Sequence, residues 1–284
     1  MTICTIDESQ RKAARVVGFT CLFTMAIVVF ANFGIHERLI VSGNVAETAR
    51  NIVAHETLFR IGIACGLVYS AGLVVLLTAL YVILKPVDRG LALLAAFWRF
   101  VYALIWVLMT LKLFEALRLL SGTDYLRVFE AEQLQALARL YLGARFDVYY
   151  VGLLFYALAS TVCSYLWFKS NYIPRALAAW GVISSVFCAA CTFVFVIFPN
   201  FSKVVNLWWF DSPMGIFEIA MSFWLLFKGL GPSGPSAIAE PVEHRPLPPN
   251  LNKGWHSELS GGALNFPNLQ TSDCPLPDLQ VYST

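Results

Sequence analysis

Residues 213–229 read Pro-Met-Gly-Ile-Phe-Glu-Ile-Ala-Met-Ser-Phe-Trp-Leu-Leu-Phe-Lys-Gly, an apolar segment whose one acidic residue is Glu218. A proline suits the first turn of a helix, and a basic residue followed by glycine is typical of a helix C-terminus. A carboxylate inside a membrane is costly unless it faces the protein interior and has a polar partner. We therefore predict a transmembrane helix whose Glu218 pairs with a group on another helix.

The composition of the whole chain is that of a membrane protein. Hydrophobic residues make up 58% of the 284 positions and charged residues 13%, whereas about 25% of a soluble domain is charged. Apolar segments predict an all-α fold, a polytopic bundle of six transmembrane helices at about 16–35, 58–84, 91–112, 146–168, 176–198 and 213–229. The first segment is longer than the apolar core of a signal peptide, so we expect it to be retained.

Three further regions differ from these spans. Residues 1–15 form a short polar leader. Residues 123–145 alternate charged side chains with leucine, which favours an interfacial helix between helices 3 and 4. Residues 231–284 hold nine of the 13 prolines and show no apolar periodicity. This composition predicts a disordered, proline-rich C-terminal tail.

Short basic turns set the predicted orientation. The turns at 85–90 and 169–175 each contain two basic residues. Basic residues in short loops favour the cytoplasmic side of a membrane. We therefore expect Pro174 and Arg175 to lie in a cytoplasmic turn, both termini to lie in the cytoplasm, and the protein to reside in the cell membrane.

Five fragments spread along the chain carry a resemblance to a known family. They are Arg-Lys-Ala-Ala-Arg-Val-Val-Gly at 11–18, Leu-Phe-Arg-Ile-Gly at 58–62, Phe-Trp-Arg at 97–99, Tyr-Ile-Pro-Arg-Ala-Leu-Ala-Ala-Trp-Gly at 172–181 and Glu-x5-Trp-Leu-Leu-Phe-Lys-Gly at 218–229. In this order and spacing they resemble the domain-of-unknown-function family 4386, a group of six-helix integral membrane proteins. The resemblance covers about residues 8–230.

This resemblance implies the six-helix architecture and four matching polar positions, Arg60, Arg99, Arg175 and Glu218. The family pattern has Arg-x-x-Glu in helix three, whereas the second position here is Tyr102. The ion pair that the family pattern places between these two positions of helix three is therefore not expected in this chain. The family name implies no activity.

Glu218 has three candidate partners in the sequence. The helical rise places Arg99 about 12 Å inside one membrane face and Glu218 about 8 Å below the other. Their depths then differ by roughly 10 Å, and Arg60 and Lys112 lie nearer to Glu218 in depth. The sequence leaves the choice open. It also leaves open whether Glu218, Arg99 and Arg60 bind a ligand or form a structural ion pair that fixes helix register.

The functional hypotheses follow from this polar set. A net charge of +2 without a basic run does not indicate nucleic acid binding, so we expect no nucleic acid as a partner. Catalytic motifs and metal-ligand spacings are missing, so we expect no catalytic residues, no metal and no cofactor, and an enzyme is disfavoured. We expect binding or permeation of a small solute or ion. The alternatives are a non-catalytic membrane scaffold or regulator and, third, a membrane-embedded enzyme. The expected partners are the lipid bilayer and a small solute or ion, and the oligomeric state stays open.

Overall fold

The computed structural model describes residues 7–41, 44–121, 129–198 and 208–231, and these residues are helical with no β-strand among them. The helices are α1 Glu8–Leu39, α2 Val45–Ala54, α3 Glu56–Leu84, α4 Arg89–Leu120, α5 Ala131–Ser170, α6 Arg175–Ile197 and α7 Trp208–Phe227. Six of them, all except α2, are long and apolar enough to cross a membrane. The predicted fold class, an all-α bundle of six transmembrane helices, is confirmed.

The six long helices form a closed ring in chain order. Each packs against the next one along the chain, and α7 packs against α1 to close the ring. Neighbouring helices are joined by short connections such as 85–88 and 171–174, which is typical of antiparallel packing. The ring places α4 and α7 on different sides of its interior, so a contact between them must cross the middle of the bundle.

Helix α1 begins earlier than the predicted first span. Asp7 caps it, because its Oδ1 accepts a hydrogen bond from the Glu8 N–H at 2.7 Å and its own N–H donates to Gln10 Oε1 at 3.0 Å. Hydrogen bonds from the Ser9 hydroxyl and the Glu8 N–H lower the pKa of Asp7. Much of the predicted polar leader is therefore the first part of a helix. Towards its other end α1 contains a π-helical segment, Phe30–His36.

The predicted interfacial helix is not a separate element. Residues from Ala131 onward belong to α5, one continuous helix of 40 residues. Its first third is rich in Ala, Leu, Gln and Glu, which favour helix, and Gly143 alone is too weak a breaker to end it. At 1.5 Å per residue a helix of this length spans about 60 Å, twice a bilayer core of about 30 Å. Its N-terminal part therefore extends beyond the hydrocarbon.

A short amphipathic helix, α2, lies instead in the loop after α1. Asn44 caps it, since Asn44 Oδ1 accepts a hydrogen bond from the Glu47 N–H at 3.0 Å. Its Ile52 is fully buried and packs with Phe59 and Leu117 in a small apolar cluster at this end of the bundle. Helix α2 thereby covers one end of the bundle, the end that lies away from Glu8.

The outer surface of the bundle is apolar. Large hydrophobic side chains are exposed on every long helix, among them Phe19, Leu67, Leu104, Val151, Ile183 and Phe223. Such a surface is typical of helices that face lipid. The first six residues of the predicted leader, residues 123–128 of the predicted interfacial helix and residues 232–284 of the predicted tail lie outside the described residues.

Candidate functional site

An ion pair crosses the interior of the helix ring. Arg99 Nη2 on α4 lies 3.0 Å from Glu218 Oε1 on α7, and both residues are 3% exposed. Arg99 reaches across because it shares the buried face of α4 with small residues, including Ala92, Ala95 and Ala103. Small residues on a membrane helix let neighbouring helices and long side chains approach closely. The ion pair is the only one among the described residues that is fully buried.

Tyr156 on α5 joins this pair from a third helix. Its hydroxyl donates a hydrogen bond to Glu218 Oε2, the carboxylate oxygen that Arg99 does not contact. The Arg99 guanidinium carbon lies 5.0 Å from the centre of the Tyr156 ring, within the range of a cation–π interaction. Both carboxylate oxygens of Glu218 are thus satisfied, as a buried carboxylate requires.

A second tyrosine–carboxylate pair repeats this arrangement along the same two helices. Tyr149 donates its hydroxyl hydrogen to Asp211 Oδ2 at 2.7 Å. In each pair the tyrosine precedes its acid by 62 residues, and the pairs are seven residues apart. As the fourth and sixth of six crossings, α5 and α7 run in the same direction, so a constant offset keeps the pairs in register. Seven residues correspond to about 10.5 Å along a helix.

A cavity of about 440 Å³ lies inside the ring next to both pairs. It is lined by parts of α1, α3, α4, α5 and α7 that all belong to the half of the bundle away from Glu8. Its inner wall is aromatic and includes Tyr69, Tyr102, Trp106, Tyr149 and Tyr156. Asp211 also lines it, whereas Glu218 lies behind Tyr156 and is not part of the lining. Tyr156 therefore separates the cavity from the buried ion pair.

His36 and the π-helical segment of α1 form another side of the cavity. Ala31, Asn32, Phe33 and His36 all line it, and π-helical segments often occur at functional sites. The His36 ring fits against α3 because position 62 is glycine, where an added Cβ would lie 2.9 Å from His36 Nε2. His36 is buried, and neither ring nitrogen has a hydrogen-bond partner among the described residues.

Most of the chain matches a known protein family. Residues 16–229 match the family described as Domain of unknown function (DUF4386). The chain belongs to the DUF4386 family. Comparisons with curated proteins and with solved structures found no match. Family membership agrees with the expected resemblance and with the six-helix bundle, and it carries no activity.

In this DUF4386 protein, the other two candidate partners of Glu218 are engaged elsewhere. Arg60 Nε donates to Glu56 Oε1 at 2.7 Å within α3, and both side chains are partly exposed. Lys112 Nζ pairs with Glu115 Oε2 at 2.9 Å within α4. The structure therefore brings Arg99 and Glu218 together and leaves Arg60 outside the site. An exposed ion pair of this kind contributes about 0–1 kcal/mol to stability.

The turn at 171–174 is a structural feature distant from the cavity. Asn171 ends α5 in the left-handed conformation with φ 57°, and its Oδ1 accepts a hydrogen bond from Arg175 Nε at 2.7 Å. Pro174 precedes the first residue of α6. Pro174 and Arg175 therefore shape a tight helix connection, and neither lines the cavity.

The sequence prediction missed Asp211, Tyr149 and His36 as site residues of this DUF4386 protein. Asp211 lies before the predicted sixth helix, which begins at Pro213. The signal was nevertheless present, since Asp211, Gly215 and Glu218 have the spacing of one helical face. Among the described residues no group of three or more His, Cys, Asp or Glu side chains could hold a metal ion.

Proposed function

We propose that this integral membrane protein binds a small solute inside its ring of helices, and that the same cavity serves permeation. The observation that carries the proposal is the position of the cavity. It ends at Tyr156, whose hydroxyl is hydrogen-bonded to the buried Glu218. Intramembrane ionisable residues are functional-site candidates by default. A solute in this cavity would be one side chain away from the Arg99–Glu218 pair.

The size and lining of the cavity support a solute rather than a purely structural role for the pair. A volume of about 440 Å³ falls within the range of about 300–1,000 Å³ that is typical of small-molecule sites. Mostly aromatic walls with a few polar groups are also typical of such sites. An ion pair that only fixes helix register needs no cavity beside it.

Permeation would require a change at Tyr156 and the ion pair. On the far side of the pair the ring interior is filled by buried side chains, among them Val17, Cys21, Cys163 and Leu225. Arg99 Nε and Nη1 have no hydrogen-bond partners among the described residues. If Tyr156 moved aside, these donors would be available to a solute or to water. We propose that the pair acts as a closed gate in the present structure.

We also propose the orientation expected from the basic turns, with both termini in the cytoplasm of a cell whose plasma membrane holds the protein. In that orientation the cavity lies in the outer half of the bundle. A solute would then enter from outside the cell, and the ion pair would lie on the cytoplasmic side of the bound solute.

Filling the cavity is expected to abolish solute binding. Gly215 lines the cavity, and an added Cβ there would meet no atom within 4 Å. Gly215→Leu should therefore place its side chain in the cavity without displacing the backbone. We expect solutes that raise the melting temperature of the purified wild-type protein to lose their effect on this variant, measured across a panel of ions, metabolites and lipids.

Gly90→Leu is the matched control. Gly90 is exposed in the first turn of α4, lies outside the cavity, and an added Cβ would make only an ordinary contact 3.6 Å from Asp88 Oδ1. This variant should keep every solute response of the wild type. If no solute stabilises the wild type, or if Gly215→Leu responds as the wild type does, the proposed solute site is wrong.

A further inference from the structure

Asp211 is an acid in the cavity wall without a cationic partner among the described residues. The ion pairs of those residues involve other acids, and the group that contacts Asp211 is the neutral hydroxyl of Tyr149. Glu218, two helical turns further, has Arg99 as its counter-charge. A carboxylate at membrane depth is normally paired with a cation. No described residue supplies such a cation beside Asp211.

Two features next to Asp211 stabilise the charged form of its carboxyl group. It lies in the first turn of α7, where the positive end of the helix dipole stabilises a negative side chain. The Tyr149 hydroxyl donates a further hydrogen bond to the carboxylate. Both features stabilise the negative charge without neutralising it. The cavity therefore has a carboxyl group in its wall.

Aromatic rings stand next to this carboxylate. The ring of Tyr149 lies 6.3 Å from that of Trp106 in an edge-on arrangement. Trp106 in turn lies 4.4 Å from Tyr69, and Tyr102 lies 4.6 Å from Tyr156. These five rings form a continuous wall of the cavity. Aromatic faces combined with a carboxylate are the chemistry that recognises ammonium groups.

We propose that the solute is a small organic cation, an amine or quaternary ammonium compound with an apolar or aromatic body. This inference rests on the proposed function, since it names the class of solute that the same cavity takes. Its ammonium group would face Asp211, and its apolar body would lie against the aromatic wall. Charge complementarity with Asp211 and cation–π contact with the rings would act on the same group.

Two other polar groups of the cavity bear on the sign of the solute's charge. Arg145 lines the cavity one helical turn before Tyr149, and it already interacts with another group. Glu37 lines the cavity near His36 and is exposed. A solute with a carboxylate would be drawn to Arg145 instead of Asp211. The experiment therefore includes a negatively charged compound of the same shape.

Three compounds of similar shape separate the possibilities: 2-phenylethylamine is positively charged, 2-phenylethanol is neutral and 3-phenylpropanoate is negatively charged. The affinity of the purified protein for each is measured from the rise in melting temperature with concentration. We expect the amine to bind the wild type most tightly. In Asp211→Asn its affinity should fall about tenfold or more, as expected when a charge-assisted hydrogen bond is lost, while that of the alcohol should change little.

Two further variants serve as controls. Glu56→Gln removes a carboxylate that does not line the cavity and should leave the amine affinity unchanged. Asp211→Glu keeps the charge and should keep the preference for the amine. If Asp211→Asn does not fold, the ranking of the three compounds on the wild type decides the question.

The outcomes distinguish this inference from the proposed function. If the alcohol or the acid binds the wild type as tightly as the amine, or if Asp211→Asn keeps the amine affinity, the cation inference is overturned. The proposed function then survives, provided that some solute depends on Gly215. If no solute of any class shows a response that Gly215→Leu removes, the proposed function fails as well.

Discussion

Glu218→Gln is expected to lower the free energy of unfolding by about 3–5 kcal/mol, the cost of leaving one member of a buried ion pair without its partner. Arg99 is 3% exposed and has no other acid in contact among the described residues. Its guanidinium would remain charged within the bundle. Reversible unfolding of the purified protein in mixed micelles, followed by the fluorescence of its tryptophans, measures the change.

A double variant separates two effects: the loss of the ion pair and the burial of a charge that has no partner. Arg99→Met combined with Glu218→Gln removes both charges, and Tyr156 can still donate to the amide oxygen of Gln. We expect the double variant to recover most of the lost stability, because replacing both members of a buried pair is often neutral. Glu115→Gln, which breaks the partly exposed pair with Lys112, should cost less than about 1 kcal/mol. Equal losses for Glu218→Gln and Glu115→Gln would show that the central pair does not stabilise the bundle.

Gly18→Leu is expected to open the contact that closes the ring. A Cβ at position 18 of α1 would lie 2.7 Å from Leu226 Cγ and 2.8 Å from the backbone oxygen of Ser222 on α7. A backbone atom cannot rotate away as a side chain can, so α1 and α7 must separate. Overpacking of this kind costs about 1–3 kcal/mol and occasionally more. We expect a large fall in melting temperature, with a smaller fall for Gly18→Ala.

Gly90→Leu again provides the comparison, because an added Cβ there makes an ordinary contact with a side-chain atom. It should melt close to the wild type. The close packing of α1 against α7 would be wrong if Gly18→Leu were as stable as Gly90→Leu. A stable Gly18→Leu would also mean that the ring is not closed at these two helices.

The helix count followed from the apolar pattern, because each span buries one face in the bundle and exposes another to lipid. The partner of Glu218 could not be chosen from the apolar pattern, because that choice depends on where α7 begins. The helix begins at Trp208 rather than at Pro213. Five additional residues place Glu218 about 7.5 Å deeper than the sequence estimate. This shift removes most of the predicted difference in depth between Glu218 and Arg99.

The early start of α7 also explains why Asp211 was overlooked. Proline is favoured in the first turn of a helix, so the sequence predicts that the last helix begins at Pro213. In the structure Pro213 lies inside α7. Proline inside a membrane helix is tolerated when neighbouring groups satisfy the backbone that it frees. Local propensity could therefore not show that Asp211 belongs to the same helical face as Glu218.

The cavity depends on contacts that no local pattern contains. The ring order of six helices brings Tyr69, Tyr102 and Tyr149 from three helices to one wall. Each tyrosine taken alone resembles an ordinary aromatic residue of a membrane span. In the sequence His36 is likewise a single polar residue at the end of an apolar segment. The His36 ring lies against Gly62 only because α1 packs against α3.

The reactivity of a cysteine at position 215 shows whether the cavity inside the helix ring admits solute and water. Gly215→Cys and Ile216→Cys are made in a variant whose seven native cysteines are replaced. Gly215 lines the cavity, whereas the Ile216 side chain is 52% exposed on the apolar outer surface. The rate of modification by a hydrophilic thiol reagent is measured with the protein in lipid vesicles. A wet cavity predicts rapid modification at 215, slowed by a stabilising solute, and slow modification at 216. Modification at 215 that is no faster than at 216 would contradict the cavity and the function proposed for it.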